Sequence, residues 1–216
     1  MINLYTMKSA SPNVRKITIM LREVGLPYRI RHVEKGGDGK HADDFLAINP
    51  NATVPAIVDE DTGSAVFESA AILYYLAEKT KQLLPHDLSG RGEVAKWLLF
   101  EAANIGPSMG ELYYYMLYAG DDVPEIHLQR YKDKLARYCS ILDSQLTGRE
   151  HLCGRYSIAD IAIYPWTIIL EDIAGINLSE YHHLHSWANA IGRRSAAKSA
   201  DEGTTEVVDG IPYATT

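Results

Sequence analysis

Residues 49–58 read NPNATVPAIV, and the chain runs on as DEDTGSAVFESAAILYYLAEK to Lys79. The apolar run Val54-Pro55-Ala56-Ile57-Val58, a turn on Asp61-Thr62-Gly63 and the run Ala65-Val66-Phe67 predict a β-hairpin. From Ser69 to Lys79, apolar residues at 72, 73 and 76 predict a helix. Upstream, residues 2–5 predict a short strand. Val14, Ile17, Met20, Leu21 and Val24 then recur at helical spacing after Pro12-Asn13, until Gly25 stops them. Residues 28–33, YRIRHV, predict a second strand, followed by the charged loop EKGGDGKHADD and a brief helix around Asp44–Ile48. The order βαβαββα describes a small α/β domain over residues 1–80, with a right-handed crossover expected between its first two strands.

Beyond Leu84-Pro85-His86-Asp87 the strand signals stop. Residues 91–118 form a long apolar helical run interrupted near Gly106-Pro107. Leu128, Tyr131, Leu135, Tyr138, Leu142 and Leu146 follow at three- and four-residue steps, the spacing of an amphipathic helix. Ser157 and Asp160 form a capping box. The run it opens, IADIAIYPWTIIL, is apolar nearly all round and so is expected at the centre of its domain. A further helix is expected from Ser186 to Arg194. The reading is an all-helical domain over residues 88–200 and a C-terminal tail over 201–216, sustained periodicity having ended by Lys198.

Composition narrows the function classes. The chain has 216 residues, 46% hydrophobic and 23% charged, which excludes a disordered or fibrous protein. Twenty-one Lys+Arg against 28 Asp+Glu give a net charge of -7, which argues against a general basic field for nucleic acid or anionic membrane. No apolar run approaches the roughly 18 residues of a membrane span, and the N-terminus has no signal-peptide core. Cys139 and Cys153 make no CxxC pair and no disulfide framework, which suits a reducing cytoplasm. Fourteen tyrosines against 3 Phe and 3 Trp suggest half-buried surfaces such as an interface or a wet cleft.

Three motifs carry a resemblance to a known family. Asn49-Pro50-Asn51-Ala52-Thr53-Val54-Pro55-Ala56-Ile57-Val58 resembles a stretch, NPNGxVPxLxD, of the glutathione transferases, whose proline after valine is cis. Phe67-Glu68-Ser69-Ala70-Ala71-Ile72 resembles that family's ES-x-AI helix start, and Tyr156-Ser157-Ile158-Ala159-Asp160 its C-terminal helix cap. Ser11-Pro12-Asn13, Trp97, Ile105-Gly106-Pro107 and IADIAIYPW are similar to the nu class, which includes bacterial disulfide-bond reductases. The resemblance covers the chain from end to end. It implies a thioredoxin-like α/β N-terminal domain plus an all-α C-terminal domain, the glutathione transferase fold.

It also implies roles. Ser69 stands at a helix start, where open N–H groups favour an anion, and would bind the γ-glutamyl carboxylate of glutathione. Glu68 would receive its ammonium. Without the resemblance, Glu68-Ser69 reads as a helix cap. Val54, before a cis Pro55, would pair with the cysteinyl backbone like an added strand. Lys40 is the candidate for the glycine carboxylate, with His41 and Asp38 as alternatives in the same loop. Asn13 at the start of the first helix would donate to the thiolate, whose pKa the helix N-terminus also lowers, or else it only caps that helix. Ser11 ranks second as the catalytic donor. Ala10 occupies the place of a serine-type catalytic residue, and Tyr5 is expected in the core.

Arg130 would reach a second glutathione moiety, or face solvent. Of Tyr113, Tyr114, Tyr115 and Tyr118, some are expected to border the electrophile cleft and others to pack. His182, His183 and His185 lack companions at ligand spacing, so no metal is expected. With no cysteine in residues 1–25, the reacting thiol must be glutathione's, a cosubstrate; Cys139 and Cys153 are read as packing residues. The expected function is glutathione-dependent reduction of small disulfides, or transferase or peroxidase chemistry on a small electrophile, by a cytoplasmic homodimer. The alternative is a non-catalytic glutathione-binding or protein-interaction module of the same fold.

Overall fold

The computed structural model describes residues 1–7, 11–33, 43–118 and 123–205. The elements run β1 (Ile2–Thr6), α1 (Pro12–Glu23), β2 (Tyr28–His32), α2 (Asp43–Ile48), β3 (Ala56–Asp59), β4 (Ser64–Phe67) and α3 (Ser69–Thr80). They continue with α4 (Leu88–Phe100), a π-helical stretch (Glu101–Ile105), α5 (Gly106–Tyr118), α6 (Glu125–Gln145), α7 (Ile158–Thr167), α8 (Leu170–Ala174), α9 (His182–Gly192) and α10 (Ser195–Thr205). By its own contacts the chain divides into one unit of residues 1–84 with 194–216 and a second of residues 85–193.

The first unit holds a four-stranded sheet in the order β2-β1-β3-β4. β1 pairs parallel with β2, Leu4 opposite Ile30, and antiparallel with β3, Leu4 opposite Ile57. β3 and β4 form the hairpin, Ile57 opposite Val66. Gly63 has a φ of +69°, which a glycine adopts without steric cost in the turn between them. Ile2, Leu4, Ile57, Ile72, Leu73 and Leu76 are fully buried and form the core beside Ile17, Met20 and Leu21 of α1.

Helix α1 is enclosed on every side, since the six consecutive residues from Lys16 to Leu21 are all buried. At 100° per residue such a run goes more than once round the helix. Helices α3 and α10 both pack on α1. Sequence periodicity had ended by Lys198, yet the helix α10 extends through Thr205. Its buried residues, Ala196, Ala197 and Ala200, are too weakly apolar to mark a period but small enough to let two backbones approach. At its entry Arg194 makes two parallel bonds to Glu23, Nε to Oε1 at 2.6 Å and Nη2 to Oε2 at 2.9 Å.

The second unit is helical. Asp87 caps α4 by accepting from the Gly90 N–H at 2.8 Å. The continuous run into α5 passes through the π-helical turn immediately before Gly106-Pro107, where the Gly106 N–H reaches back five residues to the Glu101 carbonyl. Pro107 has no N–H to give, so the hydrogen-bond ladder must change pattern here. Every residue of α7 is buried, as an all-round apolar helix requires. Its capping box is formed: the Ser157 hydroxyl accepts from the Ala159 N–H, and the Asp160 carboxylate accepts from the Ser157 N–H at 3.0 Å.

Candidate active site

Six of the eight proposed site residues lie among the described residues of the first unit, on or beside its elements: Ser11, Asn13, Val54, Pro55, Glu68 and Ser69. Ser11 is the N-cap of α1, with extended backbone (φ -134°, ψ 125°), and Pro12 takes the first helical position. The Ser11 hydroxyl makes no capping bond. Asn13 is therefore one residue inside the helix and is not its cap. Its side-chain oxygen accepts from the Lys16 ammonium at 2.7 Å and lies 3.4 Å from the Ser69 hydroxyl. The amide nitrogen Nδ2 takes no partner among the described residues. The start of α1 thus presents a hydroxyl, an amide donor and the open backbone N–H groups of a helix N-terminus.

Ser69 opens α3, and Glu68 before it is the N-cap, with φ +69° and ψ 119°. A non-glycine residue in that region costs about 1–3 kcal/mol and is held there by its surroundings. The Glu68 carboxylate is exposed and makes no capping bond, leaving it turned outward beside the α3 N-terminus. The Glu-Ser pair therefore does not cap α3 through the glutamate side chain.

The third piece is the loop before β3. Asn49, fully buried, shapes it by donating from Nδ2 to the Thr53 carbonyl at 2.7 Å and accepting from the Asn51 N–H at 3.0 Å. Ala52 stands at φ +57°, the left-handed region, where the resembling motif carries glycine. The Val54-Pro55 peptide is cis. Neither the N–H nor the C=O of Val54 has a partner among the described residues. The Val54 side chain packs on the small core of Val33, Phe45 and Ala56, together with Tyr5.

Lys40, His41 and Asp38 lie outside the described residues. Arg130 is carried by α6 of the second unit, where it lines a groove of about 610 Å³ with Lys134 and Arg137. On α5 of that unit, Tyr113 and Tyr114 are exposed and Tyr115 is half-buried, its ring centroid 6.1 Å from that of Tyr131. The backbone of Tyr118 is helical, and its side chain lies outside the description.

Sequence reasoning passed over Lys16. It is 1% exposed, and its ammonium donates both to Asn13 Oδ1 and, at 3.3 Å, to Ser69 Oγ. The available signal was position: Lys16 lies three residues after Asn13, so the two share one side of α1. A lone lysine in an apolar helix reads as a solvated residue until the partner from α3 is known.

The cysteines and histidines have structural explanations. Burial pushes both thiols up to about 12, for Cys139 on α6 and for Cys153 before α7, so both are protonated at neutral pH. The histidine run begins α9, where Asp143 of α6 accepts from the His183 and Leu184 N–H groups at 2.8 and 2.9 Å. No cluster of three metal-ligating side chains occurs among the described residues. No helix among them is long and apolar enough to cross a membrane.

Comparison with known proteins agrees with this architecture. The family model for the glutathione S-transferase N-terminal domain matches residues 10–79, and that for the C-terminal domain matches residues 107–194. The chain is 36% identical over 206 residues to the disulfide-bond oxidoreductase YfcG of Escherichia coli, an alignment covering 93% of this chain and 94% of that protein. A glutathione transferase family member from Pseudomonas fluorescens, solved with two glutathione bound, superposes with a TM-score of 0.83 at 34% identity, covering 92% of this chain and 91% of that one. A glutathione transferase from Pseudomonas putida, with one glutathione disulfide bound per subunit, gives 0.82 at 32% identity, covering 92% and 90%.

Proposed function

The chain belongs to the glutathione S-transferase family, and from that premise we infer that it is a glutathione-dependent enzyme whose nucleophile is the thiolate of bound glutathione. The observation that carries the reading is the pairing of a donor-rich α1 N-terminus with the absence of any protein thiolate to serve it. The chain has two cysteines, both high in pKa, and none precedes residue 139. The reactive sulfur must therefore arrive with the ligand.

In this reading the Asn13 amide donates to the glutathione sulfur, and the α1 N-terminus favours its negative charge. The Ser11 hydroxyl is the second donor. Ser69 and the α3 N-terminus take the γ-glutamyl carboxylate, Glu68 takes the ammonium, and Val54 pairs with the cysteinyl backbone. Lys40 takes the glycine carboxylate, and Arg130 a second glutathione moiety. Support comes from polar atoms of Ser11, Asn13, Val54 and Glu68 that take no partner among the described residues, and from relatives solved with two glutathione or a glutathione disulfide.

The reaction is thiol-disulfide exchange. A glutathione thiolate attacks one sulfur of a small disulfide, forming a mixed disulfide and expelling a thiolate. A second glutathione thiolate then attacks the glutathione sulfur of that mixed disulfide and releases the other half. Two glutathiones are oxidised to one disulfide, the substrate disulfide is reduced to two thiols, and the protons lost by glutathione end on those thiols. The same nucleophile would serve a peroxide or an electrophilic carbon.

The assembly proposed is a cytoplasmic homodimer. Exposed apolar side chains of the second unit, including Leu99 at 62%, Met116 at 50% and Ile126 at 76%, support a partner surface. The unpaired cysteines suit a reducing compartment. Sedimentation at the 24.0 kDa of a single chain would count against the dimer.

The deciding experiment is steady-state reduction of hydroxyethyl disulfide by glutathione, with the wild type and the Cys139→Ala/Cys153→Ala double variant. Both are expected to turn over at similar rates. Activity lost with the cysteines would show that a protein thiol, not the ligand's, is the nucleophile.

A further inference from the structure

A lysine ammonium carries three donors and no acceptor, and burying one is costly unless acceptors surround it. Lys16 is 1% exposed, and two of its acceptors belong to the candidate site: Asn13 Oδ1 at 2.7 Å and Ser69 Oγ at 3.3 Å. The consequence for Asn13 is directional. An amide has two ends of nearly equal shape and opposite hydrogen-bonding sense. Facing a group that only donates, Asn13 must turn its oxygen inward, and its Nδ2 is then the end left to meet a ligand. The reverse orientation would set two donors against each other and present a carbonyl oxygen to a thiolate.

We propose that Lys16 is a positioning residue for the thiolate site: by holding Asn13 Oδ1 it fixes the asparagine amide with Nδ2 toward the glutathione sulfur. It also links the residue assigned to the sulfur with the residue assigned to the γ-glutamyl carboxylate. The Ser69 hydroxyl that accepts from the Lys16 ammonium at 3.3 Å is on the residue assigned to the γ-glutamyl carboxylate, and it donates its one hydrogen to Asn13 Oδ1. Asn13 and Ser69 are themselves 3.4 Å apart, so the three side chains form one connected group spanning α1 and α3. The inference rests on the glutathione-thiolate reading.

The test compares wild type, Lys16→Met, Lys16→Arg, Asn13→Ala and the Lys16→Met/Asn13→Ala double variant. Turnover of hydroxyethyl disulfide is measured together with the pH titration of bound-glutathione thiolate by ultraviolet absorbance. Lys16→Met is expected to lower turnover at neutral pH about tenfold and to raise the bound thiol's pKa by about one unit. Lys16→Arg, which keeps a donor-only group, should recover most of both. Because Lys16 acts through Asn13, the double variant should be no worse than Asn13→Ala within about twofold. Should Lys16→Met fail to fold, Lys16→Gln replaces it. Its amide accepts as readily as it donates, so the directional hold on Asn13 is lost at similar volume, with the same two readouts.

A Lys16→Met enzyme with wild-type turnover and thiol titration, beside a depressed Asn13→Ala, overturns this inference alone. So does a double variant whose loss is the product of the two single losses. A wild type inactive with glutathione overturns the glutathione-thiolate reading and this inference with it, whereas an Asn13→Ala enzyme as fast as wild type overturns this inference and the role of Asn13 while leaving the glutathione thiolate as nucleophile.

Discussion

The indole N–H of Trp187 donates to Oδ1 of Asp160 at 2.9 Å, in the interior of the helical unit. The same oxygen accepts from the Leu152 N–H at 3.0 Å, and the other oxygen accepts from the Ser157 N–H and hydroxyl at 3.0 and 3.2 Å. Asp160 has no exposed surface, and its burial raises its pKa against the lowering effect of these donors. It fastens three segments at once: the approach to α7, its first turn and α9. Asp160→Asn would turn an amide N–H₂ toward donors on one side, and should destabilise the protein by about 3 kcal/mol. Trp187→Phe removes a single donor and should cost about 1–2 kcal/mol. Urea unfolding of the two variants checks the order.

Replacing Asn13 by Ala should depress disulfide-reductase turnover by about 10–100-fold, the usual scale for loss of one donor to a developing or stabilised anion. Ser11→Ala should lower it by less than about fivefold, since α1 does not depend on that hydroxyl for its cap. Steady-state kinetics at fixed glutathione measures both. Equal losses, or the reverse order, would defeat the assignment of Asn13 as the principal donor.

Acid stability should follow the cluster at the end of β3. The Asp59 carboxylate is fully buried and receives Lys79 Nζ at 2.8 Å and the Tyr75 hydroxyl at 2.6 Å. Burial pushes Asp59 up, but Lys79, Tyr75 and the Asp61 N–H outweigh it and hold the carboxyl below its ordinary value. Lys79 and the chain's amino terminus bring Asp61 down to about 2. Depressed carboxylates stabilise the fold fully above their unfolded pKa near 4, and that stability drains away as pH falls through the native values. Lys79 is raised above 10.5, so its share is complete below that value and fades only as pH rises beyond it. Thermal melts should therefore fall steeply between about pH 4 and 2, and Lys79→Met should flatten that limb.

Ala52→Gly should stabilise the protein by about 0.5–1 kcal/mol. The alanine is held at φ +57°, where its Cβ crowds the following carbonyl, and glycine removes that crowding at some cost in chain entropy. A higher denaturation midpoint with an unchanged slope would bear this out.

Much of this architecture is visible in the amino-acid order. The hairpin is written in two apolar runs around Thr62-Gly63, and the α7 cap in Ser157 and Asp160 three residues apart. Both signals are local, because a turn or a cap is made by neighbours in sequence. The parts that escaped depend on distant partners. Helix α10 turns three alanines inward, and only contact with α1 gives them meaning. Lys16 looks solvated until Ser69, 53 residues later, is brought to its ammonium. Lys40 falls outside the described residues, and its assignment rests on the family resemblance.

The bidentate contact between Glu23 and Arg194 has a bearing on how the protein is made. The first folding unit is discontinuous in sequence: its sheet is complete by Phe67, but a helix packed on α1 is synthesised only after the whole of the second unit. On the ribosome the N-terminal portion must wait, with one flank of α1 uncovered, until residues 194–205 emerge. A fragment cut after residue 84 would keep that flank uncovered permanently. A C-terminal truncation, which touches no residue of the proposed site, would strip the same helix.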